Sequence, residues 1–160
     1  MKDASFLNYG PTVLRFATGL DIDLRSDLDT TDLDDIRALG ISEAFAVITA
    51  YNPHGGDSDE DDNERRQTQL LSEVAELGVP YLRVAGRSPD GEQCEDSVAI
   101  ALPFDDARTL GARFGQTAIY WFDGERFVLR AAAAKFPDVA LPASEQDLAD
   151  AASRAELQAG

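Results

Sequence analysis

Arg66 carries the sharpest chemical demand in this sequence. It stands one helical step ahead of Leu70, Val74 and Leu77, at the head of the apolar stripe of a helix expected from about Glu64 to Leu77. That spacing turns a guanidinium toward the buried side. It also puts a positive charge in the first turn, against the helix macrodipole. An arginine so placed calls for an anion. Either a ligand phosphate or carboxylate supplies it, or the chain does so itself through Glu95 or an acidic loop residue.

Glu95 and Ser97 alternate onto one face of a strand read over Cys94 to Leu102, while Val98, Ile100 and Leu102 take the other. An inward Glu95 is the catalytic candidate, as a general acid or base; a metal ligand and a structural partner for Arg66 are its rival readings. Asn63 reads as the N-cap of the helix, with ligand contact as a second role. Asn52, directly before Pro53, emerges at the carboxyl end of an apolar strand, where ligands sit in α/β sheets; an Asx turn explains it equally well. Gln116 opens a later strand and can read an amide or nucleobase edge, or simply tie down the turn at Gly115. Asn52, Asn63, Arg66, Ser97 and Gln116 are thus the expected ligand-binding set.

Other chemistries find little to build on. His54 is the single histidine, too few for a zinc cluster or a His-dependent triad. Cys94 is the single cysteine; it alternates into a strand and reads as a small core residue. The string Asp90…Glu95-Asp96-Ser97 hints at a metal nuclease but has Ser97 where a lysine is needed. The run Asp57 to Asp62 imitates a calcium loop, yet its sixth position is Asp62 rather than glycine and its twelfth is Thr68 rather than glutamate. It reads as a solvated or disordered loop, and no metal site is expected. Neither a glycine-rich dinucleotide fingerprint nor a phosphate-binding Gly-Lys-Ser/Thr loop occurs. Tyr120, Trp121 and Phe122 read as core rather than as a base-stacking platform.

The elements that must position these residues follow from patterning. Thr12–Ala17 reads as a strand, Thr31–Leu39 as a short acidic helix stopped by Gly40, and Ala44–Tyr51 as a strand covered on both faces. After the Arg66 helix come strands at Tyr81–Gly86 and Cys94–Leu102, joined through the turn signal Pro89-Asp90-Gly91. A helix after Pro103 buries Ala107, Leu110, Gly111 and Phe114. The strand Gln116–Phe122 then hairpins through Asp123-Gly124 into Arg126–Leu129. The order β-α-β-α-β-β-α-β-β predicts one α+β domain over residues 1–135, a mixed β-sheet with helices packed on it. Residues 136–160 read as a polar, alanine-rich tail or loose helix.

The chain has 160 residues, 44% hydrophobic and 28% charged, enough for one substantial core. Thirty acidic residues against fourteen basic ones leave a net charge of −16. That field repels nucleic acid and anionic membrane. It fits a solvated acidic surface, an acidic patch meeting a basic protein partner, or mimicry of DNA. No apolar run is long enough to span a bilayer. The short acidic N-terminus does not start a signal peptide, and one cysteine permits no internal disulfide, so a reducing cytoplasm is the expected location.

Ordered blocks add a resemblance. Ile48-Thr49-Ala50-Tyr51-Asn52-Pro53, Asn63-x-x-Arg66-x-x-x-Leu70, Gly86-x-x-Pro89-Asp90-Gly91, Glu95-x-Ser97 and Arg113-Phe114-Gly115-Gln116-x-Ala118-Ile119 together resemble the bacterial domain-of-unknown-function family numbered 3293, over about Ile48 to Asp123. The resemblance implies a shared fold and a polar site at these positions, and brings no reaction or cofactor with it. The functional expectation is therefore a small anionic or nucleotide-like ligand held around Arg66. The alternative is a non-enzymatic acidic module that engages a basic partner.

Overall fold

The computed structural model describes residues 9–53 and 58–159; His54 and Asp57 lie outside them. The elements are β1 (Val13–Phe16), β2 (Asp21–Asp23), α1 (Thr30–Arg37), β3 (Phe45–Thr49), α2 (Glu60–Leu77), β4 (Tyr81–Arg87), β5 (Cys94–Ile100), α3 (Phe104–Arg113), β6 (Ala118–Phe122), β7 (Phe127–Ala131), β8 (Val139–Ala140) and α4 (Glu145–Ala159). The strands form one sheet in the order β2-β1-β4-β5-β3-β6-β7-β8. The α+β class with helices packed on the sheet is as expected. Every strand pair is antiparallel, so the sheet is not mixed.

The centre of the sheet is buried on both faces, while β1 and β4 turn Arg15, Tyr81 and Arg83 outward, and β3 shows why its sequence is continuously apolar. Phe45 and Val47 belong to one core with Leu14, Phe16, Val84, Ala99, Phe122 and Ile36 of α1. Ala46 and Ile48 belong to another with Leu70 and Val74 of α2 and Ala107 and Leu110 of α3. A third cluster joins Ala118 and Leu129 to Leu148, Ala151, Ala152 and Ala155 of α4. Since Ala118 and Phe122 share a face of β6, α1 and α4 cover one side of the sheet while α2 and α3 cover the other.

Local chemistry fixes the helix ends. Asp29 caps α1 in a reciprocal box with Asp32. The second acidic run is not a loop in its described part. Asp59 caps α2 by accepting from the Asp62 N–H, and Glu60, Asp61 and Asp62 fill the first turn, where negative charge complements the macrodipole. The helix therefore starts four residues earlier than the apolar stripe alone suggests. The early acidic string is likewise structured: Ile22 is buried between outward Asp21 and Asp23, the alternation of a short edge strand.

α3 lies unusually close to β6. A Cβ added at Gly111 would sit 2.7 Å from Ile119 Cγ2, so only glycine lets the helix dock at this depth. No helix among the described residues is long and apolar enough to cross a membrane.

Candidate functional site

The early start of α2 changes what Asn63 and Arg66 do. Asn63 is not the N-cap; it lies inside the helix, and the buried stripe is Asn63, Gln67, Leu70 and Val74, while Leu77 is 50% exposed. Arg66 is past the first turn and half-buried. The stripe thus brings two buried amides and a flanking guanidinium against the point where β3 leaves the sheet.

There the main chain of Ala50, Tyr51 and Asn52 has lost its strand partners, and side chains replace them. Ala50 N–H donates to Gln67 Oε1 (3.1 Å), and Ala50 O accepts from Arg66 Nε (3.2 Å). Tyr51 O accepts from Gln116 Nε2 (2.9 Å). Asn52 N–H donates to Asn63 Oδ1 (2.8 Å), which also accepts from Arg66 Nη2 (2.8 Å). Asn52 Oδ1 accepts from Asn63 Nδ2 and from Ser58 N–H, both at 3.1 Å. The network holds Asn52 at φ 48°, in the left-handed region that asparagine tolerates best after glycine. Arg66 forms no ion pair among the described residues and does not meet Glu95; its partners are a carbonyl and an amide oxygen.

The exit of β3 opens the other face. β3 pairs with β5 only as far as Thr49 opposite Ser97; beyond that pair the Thr49 hydroxyl donates to Asp96 O (2.7 Å), and no described strand continues along this flank of β5. On the opposite flank, Glu95 is paired with Gly86, which is itself paired with Leu14. Residues opposite one another in antiparallel strands share a face, so the row Leu14–Gly86–Glu95 holds a glutamate beside a position without a side chain. A cavity of about 540 Å³ results, on the side of the sheet away from α2 and α3. Leu14, Ser97, Gln116 and Tyr51 make its buried lining, and Pro89, Asp90, Glu92, Gln93 and Cys94 its exposed rim.

Asn52, Glu95, Ser97 and Gln116 therefore come together around one cavity, whereas Asn63 and Arg66 lie behind it and fix its wall. The Glu95 carboxylate takes no hydrogen bond or ion pair among the described residues, and burial raises its pKa above the ordinary glutamate value. Tyr120, half-buried beside it, is also pushed upward, mainly by desolvation; its hydroxyl donates to Tyr9 O (2.6 Å). The Tyr51 phenol is pushed up to about 12 by burial first and then by Asp96, whose carboxylate lies 3.4 Å away.

The rim is tied to itself. Asp90 Oδ1 accepts from Ser88 Oγ (2.6 Å) and Glu92 N–H (2.9 Å), which holds its carboxyl below the usual range. Gln93 N–H donates to Ser88 Oγ (2.9 Å). Cys94 is exposed at this rim rather than buried in the core, because it begins β5 where the hairpin leaves the sheet. Among the described residues no three metal-ligating side chains converge. Gln67 and Tyr120 are wall and support residues that sequence patterning did not place at the site, while Tyr51 and Gly86 stood in the motif blocks without a stated role. The 63/67/70/74 spacing held the signal for Gln67. Gly86, a glycine inside a strand, held the signal for a close approach.

Residues 48–119 match the model of a family described as a protein of unknown function (DUF3293). The match contains Thr49 to Gln116, and hence Asn52, Gly86, Glu95 and Ser97, but not Leu14 or Tyr120. No curated protein and no solved structure matches this chain.

Proposed function

We propose that this chain binds a small polar molecule in the cavity beside Glu95. The observation that carries the reading is a carboxylate that no described residue partners, at a point where β5 runs past its pairing with β3 and faces Gly86 of β4. Glu95 is half-buried, so its charge is partly desolvated, and a bound donor offsets that cost. Asn52, Ser97 and Gln116 supply further polar edges, and Glu95 is the group able to exchange a proton with whatever sits there.

An anion held by Arg66 has weaker support. Its guanidinium serves Ala50 O and Asn63 Oδ1 and stands outside the cavity lining. The two versions separate in a thermal-shift screen of metabolite-sized cations, neutral amides and anions against wild type, Gly86→Val and Arg66→Ala. A ligand that raises the wild-type melting temperature and loses its effect in Gly86→Val, while keeping it in Arg66→Ala, supports the cavity. A ligand lost only in Arg66→Ala returns the site to the arginine. The absence of any Gly86-sensitive ligand rejects the cavity reading.

A second reading rests on charge. Asp59, Glu60 and Asp61 are exposed together at the start of α2, on a chain of net charge −16, and support contact with a basic protein. Such a partner would be released by salt, and its binding would ignore Gly86→Val.

A further inference from the structure

We infer that the cavity selects an organic cation, a protonated amine or guanidinium, which seats against Glu95 in the space left by Gly86. The inference rests on the cavity being a binding site and adds the charge class of its ligand.

Three observations lead to it. Glu95 presents carboxylate oxygens that accept hydrogen bonds and take none from the described residues, so the missing group is a donor. Among the described residues the ionisable acids of the lining are Asp90, Glu92 and Glu95, against one base, Arg87, whose Nη2 lies at the rim near Gly91. The lining is thus negative, and the whole chain at −16 reinforces that sign, which concentrates cations at the opening and repels anions. A charge-assisted bond to a cation is also the strongest contact a desolvated carboxylate can make.

Gly86 gives the site its dimensions. A Cβ built there meets nothing nearer than Thr12 Cγ2 at 3.8 Å and Glu95 O at 3.9 Å, ordinary contact distances. A glycine inside a strand weakens it, and here neither a positive φ nor a close neighbour demands one. What its missing side chain leaves is room beside the glutamate. A Cβ here meets only ordinary contacts, so a larger residue takes up the part of the cavity beside Glu95, and a β-branched one favours the strand.

The test is an amide chemical-shift titration of the full-length chain with four small probes at about 0.15 M ionic strength, where surface attraction is screened. The probes are butylammonium, butylguanidinium, butyramide and butyrate. The expected result is saturable binding of the two cations, at least tenfold tighter than butyramide, with shifts at Gly86 and Ser97 and no saturation by butyrate. Gly86→Val, which leaves the net charge untouched, abolishes it; Glu95→Gln weakens it at least tenfold. Gly86→Ala adds one carbon at ordinary contact distance and reads the same point as a smaller loss should the valine variant not fold.

Saturable, Gly86-sensitive binding of butyrate or butyramide that equals or exceeds the cations overturns the charge class while leaving the cavity reading intact. Cation binding indifferent to Glu95→Gln overturns it as well. Binding that no Gly86 variant alters, or no saturable binding at all, removes both.

Discussion

Asn63 and Asn52 bind one another twice. Asn52 N–H donates to Asn63 Oδ1 at 2.8 Å, and Asn63 Nδ2 donates to Asn52 Oδ1 at 3.1 Å. The pair joins the second turn of α2 to the first residues after β3. It fixes the left-handed turn at Asn52, where the chain leaves the end of β3 beside the cavity. Arg66 adds its own donor to the same Asn63 oxygen, so the guanidinium that seemed to require an anion completes a backbone-bonding device. Site wall and chain turn are one construction.

Asn63→Ala removes the acceptor of the Asn52 N–H, one of the two donors to Asn52 Oδ1, and the acceptor of Arg66 Nη2. Leaving buried polar groups unmade costs about 1–3 kcal/mol each. Urea unfolding at 25 °C is expected to show a loss of about 2–4 kcal/mol, within the range set by that per-group cost. Asn63→Asp keeps the acceptor beside Arg66 and loses less. A loss below about 0.5 kcal/mol for Asn63→Ala, the level of an ordinary surface change, contradicts the role given to the pair.

Gln67 behaves differently because its two ends are unequal. Oε1 accepts from Ala50 N–H, while Nε2 is buried without a partner among the described residues. Gln67→Met gives up one bond and relieves one unmet donor at similar volume, so the two terms oppose. The expected net change is within about 1 kcal/mol. A loss as large as that of Asn63→Ala would show that Nε2 has a partner.

Gly111→Ala tests the docking of α3. Alanine is the better helix former by about 1 kcal/mol, so an exposed site would gain. Here the new carbon meets Ile119 Cγ2 at 2.7 Å, inside a packed core, and overpacking costs about 1–3 kcal/mol. The variant is expected to unfold at lower urea concentration than wild type. A higher midpoint would mean that α3 can lift from β6 without penalty.

Much of this architecture was legible. The continuous apolar run of β3, the α3 spacing Ala107/Leu110/Gly111/Phe114 and the Asp123-Gly124 hairpin all stand where patterning placed them. The start of α2 was not, because Asp59 to Asp62 look like a solvated loop until the macrodipole they offset is in view. That single shift moved Asn63 from cap to core and Arg66 from first turn to second. Site residues showed a similar divide. Asn52, Glu95, Ser97 and Gln116, which line one cavity, stood out in the sequence because they are polar residues at the ends of apolar segments. The cavity itself was invisible, since it follows from a register, Gly86 opposite Glu95, and from the early end of β3. Pairings between segments far apart in the chain leave no local trace in composition or period.

Glu95→Gln links the site to pH. Burial raises the folded-state pKa of Glu95 above the ordinary 4.5, so between those two values the folded protein holds more protons than the unfolded chain. By linkage its contribution to stability is fully present below pH 4.5 and is lost as pH rises through the folded value. Glutamine carries no such penalty. The variant is therefore expected to match wild type most nearly in acid and to gain on it as pH rises, with the gain levelling off once Glu95 is ionised. Comparing the two chains cancels Asp23 and Asp90, whose lowered values act in the opposite direction. Thermal melts from pH 4 to 8 check the sign. An advantage for glutamine that shrinks with rising pH would show that Glu95 is stabilised by an opposite charge within the fold, and the unpartnered carboxylate at the centre of the site would be lost with it.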